Sequence, residues 1–199
     1  MVPFLKVDKG LEDEAAGVQL MKSMPGLEAL CERARAKGVF GTKMRSVIKR
    51  ADRAGIEQIV VQQFAEGRRI LGAGLVPMLE PEYDIHASDR AEGEGILRDS
   101  IARHLDMLGE GEEVMLKLSI PVTAGHYASL IAHPRVLRVV ALSGGYSTDE
   151  ACEKLAENPG MIASFSRGLL QDLRHQQTEA EFDSTLGAAI DQIHAASVG

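Results

Sequence analysis

A lysine interrupts an apolar run, Val114-Met115-Leu116-Lys117-Leu118-Ser119-Ile120, whose other residues suit a buried parallel strand. An ammonium taken out of water without a partner is costly, and the usual escape is a lowered pKa. A neutral amine in an apolar site is the nucleophile that imine formation with a carbonyl requires. The competing reading is a lysine that snorkels at a strand end or pairs with a carboxylate. Glu80 closes a second apolar run, Leu75 to Glu80. A carboxylate held there partly desolvated can donate and accept protons, the service a carbinolamine needs to lose its hydroxyl as water. Glu80 as the ion partner of a strand lysine is an equal alternative, and it is compatible with catalysis.

Three further groups extend the set. Lys43 and Arg45 lie two residues apart in GTKMRS (41–46), on one face if that segment is extended. They could meet an anionic substrate or depress the pKa of Lys117, or they could form a solvated basic loop. Lys6 interrupts another extended segment, Phe4 to Asp8. Ser143-Gly144-Gly145 precedes a helix, and Ser164 and Arg167 lie at and beyond the end of the last strand. Glycine amides at a helix N-terminus bind phosphate, and arginine adds a forked donor. A Ser-Gly-Gly is a plain turn in most proteins; two such elements on the last two strands carry more weight than one.

These residues need a scaffold, and the hydrophobic pattern supplies one. Short apolar segments at 3–8, 75–80, 114–120, 136–142 and 161–165 read as strands, and 38–45 reads as strand and loop. Segments at 27–37, 56–71, 92–108, 148–157 and 179–196, with a short turn of helix at 126–132, read as helices. Strands alternating with helices give βαβ units and a parallel sheet. Each strand is expected to carry its polar residue at or beyond its C-terminal part, where (β/α)8 barrels assemble their active sites. An open doubly wound sheet would gather them at one crossover point, so the even spread favours a barrel. Only six of eight units are present.

Composition sets the outer limits. At 199 residues, 45% hydrophobic and 26% charged, the chain can bury a proper core and is not compositionally disordered. A formal net charge of −7 argues against a nucleic-acid or acidic-membrane surface. Cys31 and Cys152 are far apart, and His86, His104, His126, His133, His175 and His194 show no ligand spacing. No metal site is therefore expected, and the thiols suit a reducing, cytoplasmic compartment. There is no Walker A motif, no GxGxxG and no run long enough to span a membrane.

The motifs FLKVDKG (4–10), GTKMRS (41–46), LEPE (79–82), MLKLSIP (115–121), LSGGYS (142–147) and ASFSRGL (163–169) resemble class I fructose-bisphosphate aldolase, most of all its bacterial branch. The resemblance implies a TIM barrel of the aldolase type and metal-independent, reversible cleavage of fructose 1,6-bisphosphate to dihydroxyacetone phosphate and glyceraldehyde 3-phosphate, in glycolysis and gluconeogenesis. On it, Lys117 matches the Schiff-base lysine, Glu80 the general acid/base, and Lys43 the lysine beside the nucleophile. Arg45 and Glu82 match substrate-contacting positions. Ser143, Gly144, Ser164 and Arg167 match the phosphate site of the ketone half, and Lys6 matches a residue near the far end of the substrate. No cofactor is implied; the expected partners are a sugar phosphate and, through open sheet edges, other copies of the chain.

Family members begin with two further β/α units, the first of which supplies an aspartate. Residues 1–199 are therefore expected to form a single, incomplete barrel domain. A catalytically impaired chain that binds sugar phosphates or serves in assembly is the alternative, and transaldolase or deoxyribose-phosphate aldolase is the alternative within imine enzymes.

Overall fold

A computed structural model describes residues 2–198. Its elements run β1 (Phe4–Lys6), β2 (Val18–Gln19), α1 (Leu27–Arg35), β3 (Gly41–Ile48), α2 (Arg53–Gly72), β4 (Val76–Tyr83) and α3 (Arg90–Asp106). They continue β5 (Val114–Ser119), α4 (Ala128–Ile131), β6 (Val136–Leu142), α5 (Thr148–Ala156), β7 (Met161–Ala163), α6 (Arg167–Leu170) and α7 (Glu179–Val198). The strands line up as β1-β3-β4-β5-β6-β7, each parallel to the next, with β2 antiparallel to the end of β3. Spatial order follows chain order without a reversal. That is the winding of a barrel, not of a doubly wound sheet, which reverses at a switch point. Among the described residues β1 pairs only with β3, and β7 only with β6, so the barrel is partial.

The period-two alternation of each strand divides the sheet into two faces. On β3, Thr42, Met44, Ser46 and Ile48 are buried toward the helices, whereas Lys43, Arg45 and Val47 are not fully buried. Helix α2 turns Ile56, Ile59, Val60, Gln63, Phe64, Gly67 and Ile70 inward at three- and four-residue spacing. It begins where Asp52 accepts a hydrogen bond from the Gly55 amide at 2.8 Å. Gln63 reaches across to donate to Ser46 Oγ at 2.8 Å, which pins helix to strand. The apolar core thus lies between sheet and helices, and the polar residues are left on the inner face.

Several strands extend further than their sequence suggests. β3 runs on to Ile48, and β4 continues through Pro81 to Tyr83. Lys43 and Glu80 therefore sit within their strands rather than at the ends. Proline lacks a donor, so Pro81 reads as a stop. The β4–β5 ladder, however, pairs only Met78 and Leu79, so no bond to β5 is lost at Pro81. Beyond it Ser119 Oγ takes over, accepting from the Tyr83 amide at 3.0 Å and donating to the Tyr83 carbonyl at 2.7 Å. The two-residue β2 and the four-residue α6 are too short to leave a periodic signal, and both escape a sequence reading.

Two contacts in this scaffold yield direct tests. A Cβ added at Gly93 of α3 would fall inside the Tyr83 phenol, and Tyr83 is 1% exposed and cannot swing away. Gly93→Ala is expected to lower unfolding free energy by about 1–2 kcal/mol, the overpacking cost less the gain in helix propensity. Urea titration reads this directly, and an unchanged midpoint would refute the tight fit. At the surface, Arg69 of α2 binds Glu28 of α1 at 2.6 and 2.8 Å. The guanidinium holds the Glu28 carboxyl down at about 2 from 4.5. A depressed carboxyl contributes stability that is present above the unfolded value and is lost as pH falls through the folded one. Glu28→Gln is therefore expected to flatten the loss of melting temperature between about pH 4.5 and pH 2, by the small amount an exposed pair supplies.

Candidate active site

On the inner face a cleft of about 360 Å³ opens at the C-terminal side of the sheet. Its walls include Lys6, Lys43, Arg45, Glu80, Glu82, Lys117, Ser143, Gly144, Ser164 and Arg167. All of the residues singled out from the sequence as candidates are thus in one place except Gly145, which does not line the cleft. The alternation explains it: Lys6 pairs in register with Lys43, and Arg45 with Glu80, on adjacent parallel strands. Neighbours in register project to the same face.

At the centre, Glu80 stands between two lysines. Lys117 Nζ is 3.1 Å from its Oε1, and Lys43 Nζ donates a short hydrogen bond to its Oε2. The Glu80 side chain is 4% exposed, against 14% for Lys117 and 22% for Lys43. Lys117 is therefore largely shielded but paired, not an orphan in an apolar strand. Such a pair keeps a proton donor and acceptor within hydrogen-bond reach of the amine.

Flanking pairs complete the wall. Arg45 meets Glu82 at 3.1 Å, and Lys6 meets Asp8 at 2.7 Å. Lys6 is largely exposed at the end of β1, so its place in an apolar-looking segment does not bury it. The cleft holds five cations (Lys6, Lys43, Arg45, Lys117, Arg167) and three carboxylates (Asp8, Glu80, Glu82), a surplus of two positive charges on an acidic chain. A positively biased concave site favours an anionic ligand.

The loop after β6 is a tight glycine turn. Gly144 and Gly145 have φ of 64° and 123°, and the Tyr146 amide donates to the Ser143 carbonyl at 3.0 Å. A Cβ at Gly144 would meet Ile85 Cγ2 at 2.6 Å, so both conformation and space require glycine there. Helix α5 starts only at Thr148, with Ser147 Oγ accepting from the Glu150 amide at 3.3 Å. The Ser-Gly-Gly amides therefore belong to a turn ahead of the helix, not to its first turn. Ser164 remains tied to β6 through its amide, which donates to the Ala141 carbonyl at 2.8 Å, and Arg167 opens α6 immediately beyond.

Asp8 was not among the sequence candidates, although it lies in the quoted FLKVDKG motif. It is buried, lines the cleft, and leaves its Oδ2 without a hydrogen-bond partner. The available signal was an acidic residue just past the end of a strand, the same logic that singled out Glu80. None of the histidines lines the cleft. Among the described residues no three His, Cys, Asp or Glu side chains converge as metal ligands. Burial pushes both thiols, Cys31 and Cys152, up from their usual range, away from nucleophilic use.

Comparison with curated proteins finds one from Synechocystis, named fructose-bisphosphate aldolase class 1, 54% identical over all of this chain and 66% of its own length. Another with the same name, from Porphyromonas gingivalis, is 56% identical over all of this chain and 67% of its own. The chain belongs to the class I fructose-bisphosphate aldolase family. It spans about two thirds of the length of these aldolase relatives. No family model matches the chain. Among solved structures, the fructose-bisphosphate aldolase of Plasmodium falciparum superposes with a TM-score of 0.73, 21% identical, over 98% of this chain and 66% of that one. A Corynebacterium glutamicum protein superposes at 0.52 with 14% identity, over 83% of this chain and 55% of its own. Both are likenesses of fold, and the first places the six parallel strands in an aldolase-type barrel.

Proposed function

We propose that the cleft carries out imine-mediated cleavage and formation of fructose 1,6-bisphosphate. The observation that carries this reading is Glu80 held between the amines of Lys117 and Lys43 in a positively biased cleft. Glu80 takes a proton from the Lys117 ammonium, the freed Nζ attacks the C2 carbonyl of the ketose, and Glu80 returns the proton with which the carbinolamine hydroxyl leaves as water. The resulting protonated imine is an electron sink. When the C3–C4 bond breaks, its electron pair moves onto the imine to give an enamine, while a carboxylate takes the proton of the C4 hydroxyl and glyceraldehyde 3-phosphate leaves. Reprotonation at C3 and hydrolysis return dihydroxyacetone phosphate and the free amine. Lys43 supplies positive charge beside the reacting centre. The Ser143–Gly145 turn, Ser164 and Arg167 receive the phosphate next to the ketone. Arg45, Glu82 and Lys6 serve the other half of the substrate.

This reading treats the chain as one barrel domain, working without a metal on a cytoplasmic sugar phosphate. A second reading is favoured by the outer edges of β1 and β7, which pair with no further strand among the described residues. Unpaired edges recruit further strands, so the chain self-associates and turns over slowly while still binding sugar phosphates. Borohydride reduction in the presence of dihydroxyacetone phosphate, followed by intact mass, tests the common core of both. An adduct on a single lysine is the expected result. A folded chain that never acquires one would end the imine reading.

A further inference from the structure

Arg90 and Glu94, one turn apart at the start of α3, form an ion pair at 2.7 Å with side chains only 4% and 1% exposed. Among the described residues no other ion pair lies so deep. Burying two charges costs free energy that well-packed apolar residues would not, so stability alone gives a poor account of it. Its hydrogen bonds point elsewhere. Arg90 donates one N–H to the Ile120 carbonyl and another to Tyr146 Oη at 3.0 Å, and the Val122 amide donates to Glu94 Oε2 at 2.9 Å. Ile120 and Val122 lie immediately beyond the strand of Lys117, and Tyr146 closes the Ser143 turn. One buried fork therefore ties together the loops that follow the two strands most directly concerned with the ketone. Arginine suits the task because its planar donors reach three acceptors at fixed angles, which a lysine ammonium cannot.

We infer that Arg90 is a positioning residue for the phosphate end of the site. Through Tyr146 it holds the Ser143–Gly145 turn in its anion-receiving shape, and through Ile120 it keeps that turn in register with Lys117. The inference rests on the proposed function for its ligand. It does not rest on it for the tie itself.

Tyr146→Phe is the sharp test, because it removes one hydroxyl and keeps the ring that Lys154 Nζ approaches at 5.1 Å. Two quantities are read. One is backbone amide exchange at Ser143–Ser147. The other is the yield of reduced imine with dihydroxyacetone phosphate relative to unphosphorylated dihydroxyacetone. Loss of one charge-assisted hydrogen bond is expected to speed exchange about five- to ten-fold and to cut the advantage of the phosphorylated ketone by a similar factor. The adduct with dihydroxyacetone itself is expected to stay unchanged. Unaltered exchange overturns the tie. Faster exchange with an intact phosphate advantage, or an equal loss for both ketones, overturns the positioning role. If the unsubstituted chain forms no adduct with either ketone, the imine reading fails by itself. Inorganic phosphate then decides the inference: it should protect the Ser143–Gly145 amides, and about five- to ten-fold more weakly in Tyr146→Phe. Equal protection in both proteins overturns it.

Discussion

Lys117→Met is expected to abolish the reducible adduct and to lower any turnover by about 10⁴-fold or more, because the step that creates the electron sink is gone. The substitution should leave the fold intact. Lys117 is only 14% exposed and lies among buried residues of β5, where a methionine of similar length packs without strain. Glu80 keeps Lys43 as its ion partner, so no carboxylate is stranded. Stability is expected to change by less than about 1.5 kcal/mol, the usual limit for a volume-conserving swap, because Lys43 continues to neutralise Glu80. Intact mass after borohydride and a urea titration separate the two effects. An adduct that survives the substitution would move the nucleophile to another lysine of the cleft, with Lys43 the first to examine.

Glu80→Gln should behave differently, because it strikes chemistry and stability together. The amide keeps the shape but can neither carry a proton nor neutralise the ammoniums on either side. Turnover is expected to fall about 10²- to 10⁴-fold, the range for losing a general acid/base. The adduct should still form, but slowly, since the amine remains. Removing one partner of a fully buried ion pair costs about 3–5 kcal/mol. Here the lysines are 14% and 22% exposed, and solvent screening reduces the expected loss to about 1–3 kcal/mol. Single-turnover trapping and chemical denaturation read these separately. A variant as stable as the parent and within ten-fold of its rate would remove Glu80 from the proposed role.

The contrast between the variants reflects how the site is built. Lys43 and Glu80 are 37 residues apart, and successive strands each add polar residues to the same cleft. On the proposed mechanism, removing Lys117 deletes a reactant. Removing the carboxylate also deletes the group that lets two cations share one place.

Much of the scaffold was legible from local pattern. The apolar spacing of 56–70 marks α2 because helix burial repeats every three to four residues. Lys43 and Arg45, two residues apart, share one face of an extended segment, because successive side chains of a strand alternate. β2 was not legible, because its two residues become a strand only by meeting Ile48 and Val47. The end of β4 was misplaced because Pro81 is a local stop signal, whereas the lapse of the β4–β5 ladder that accommodates it is a tertiary fact.

The same division runs through the site. Residue type and strand placement by themselves determined which side chains could react: a lysine within an apolar strand, a glutamate within another, and glycines and a serine after a third. Local sequence carries that information because strand periodicity and turn chemistry are short-range properties. Which of these side chains meet was decided only by tertiary structure. Parallel winding in chain order sets Glu80 between Lys43 and Lys117, brings buried Asp8 into the cleft, and lets Arg90 reach from α3 to Tyr146. Those distances depend on register and helix packing across dozens of residues, and no short stretch of chain encodes them.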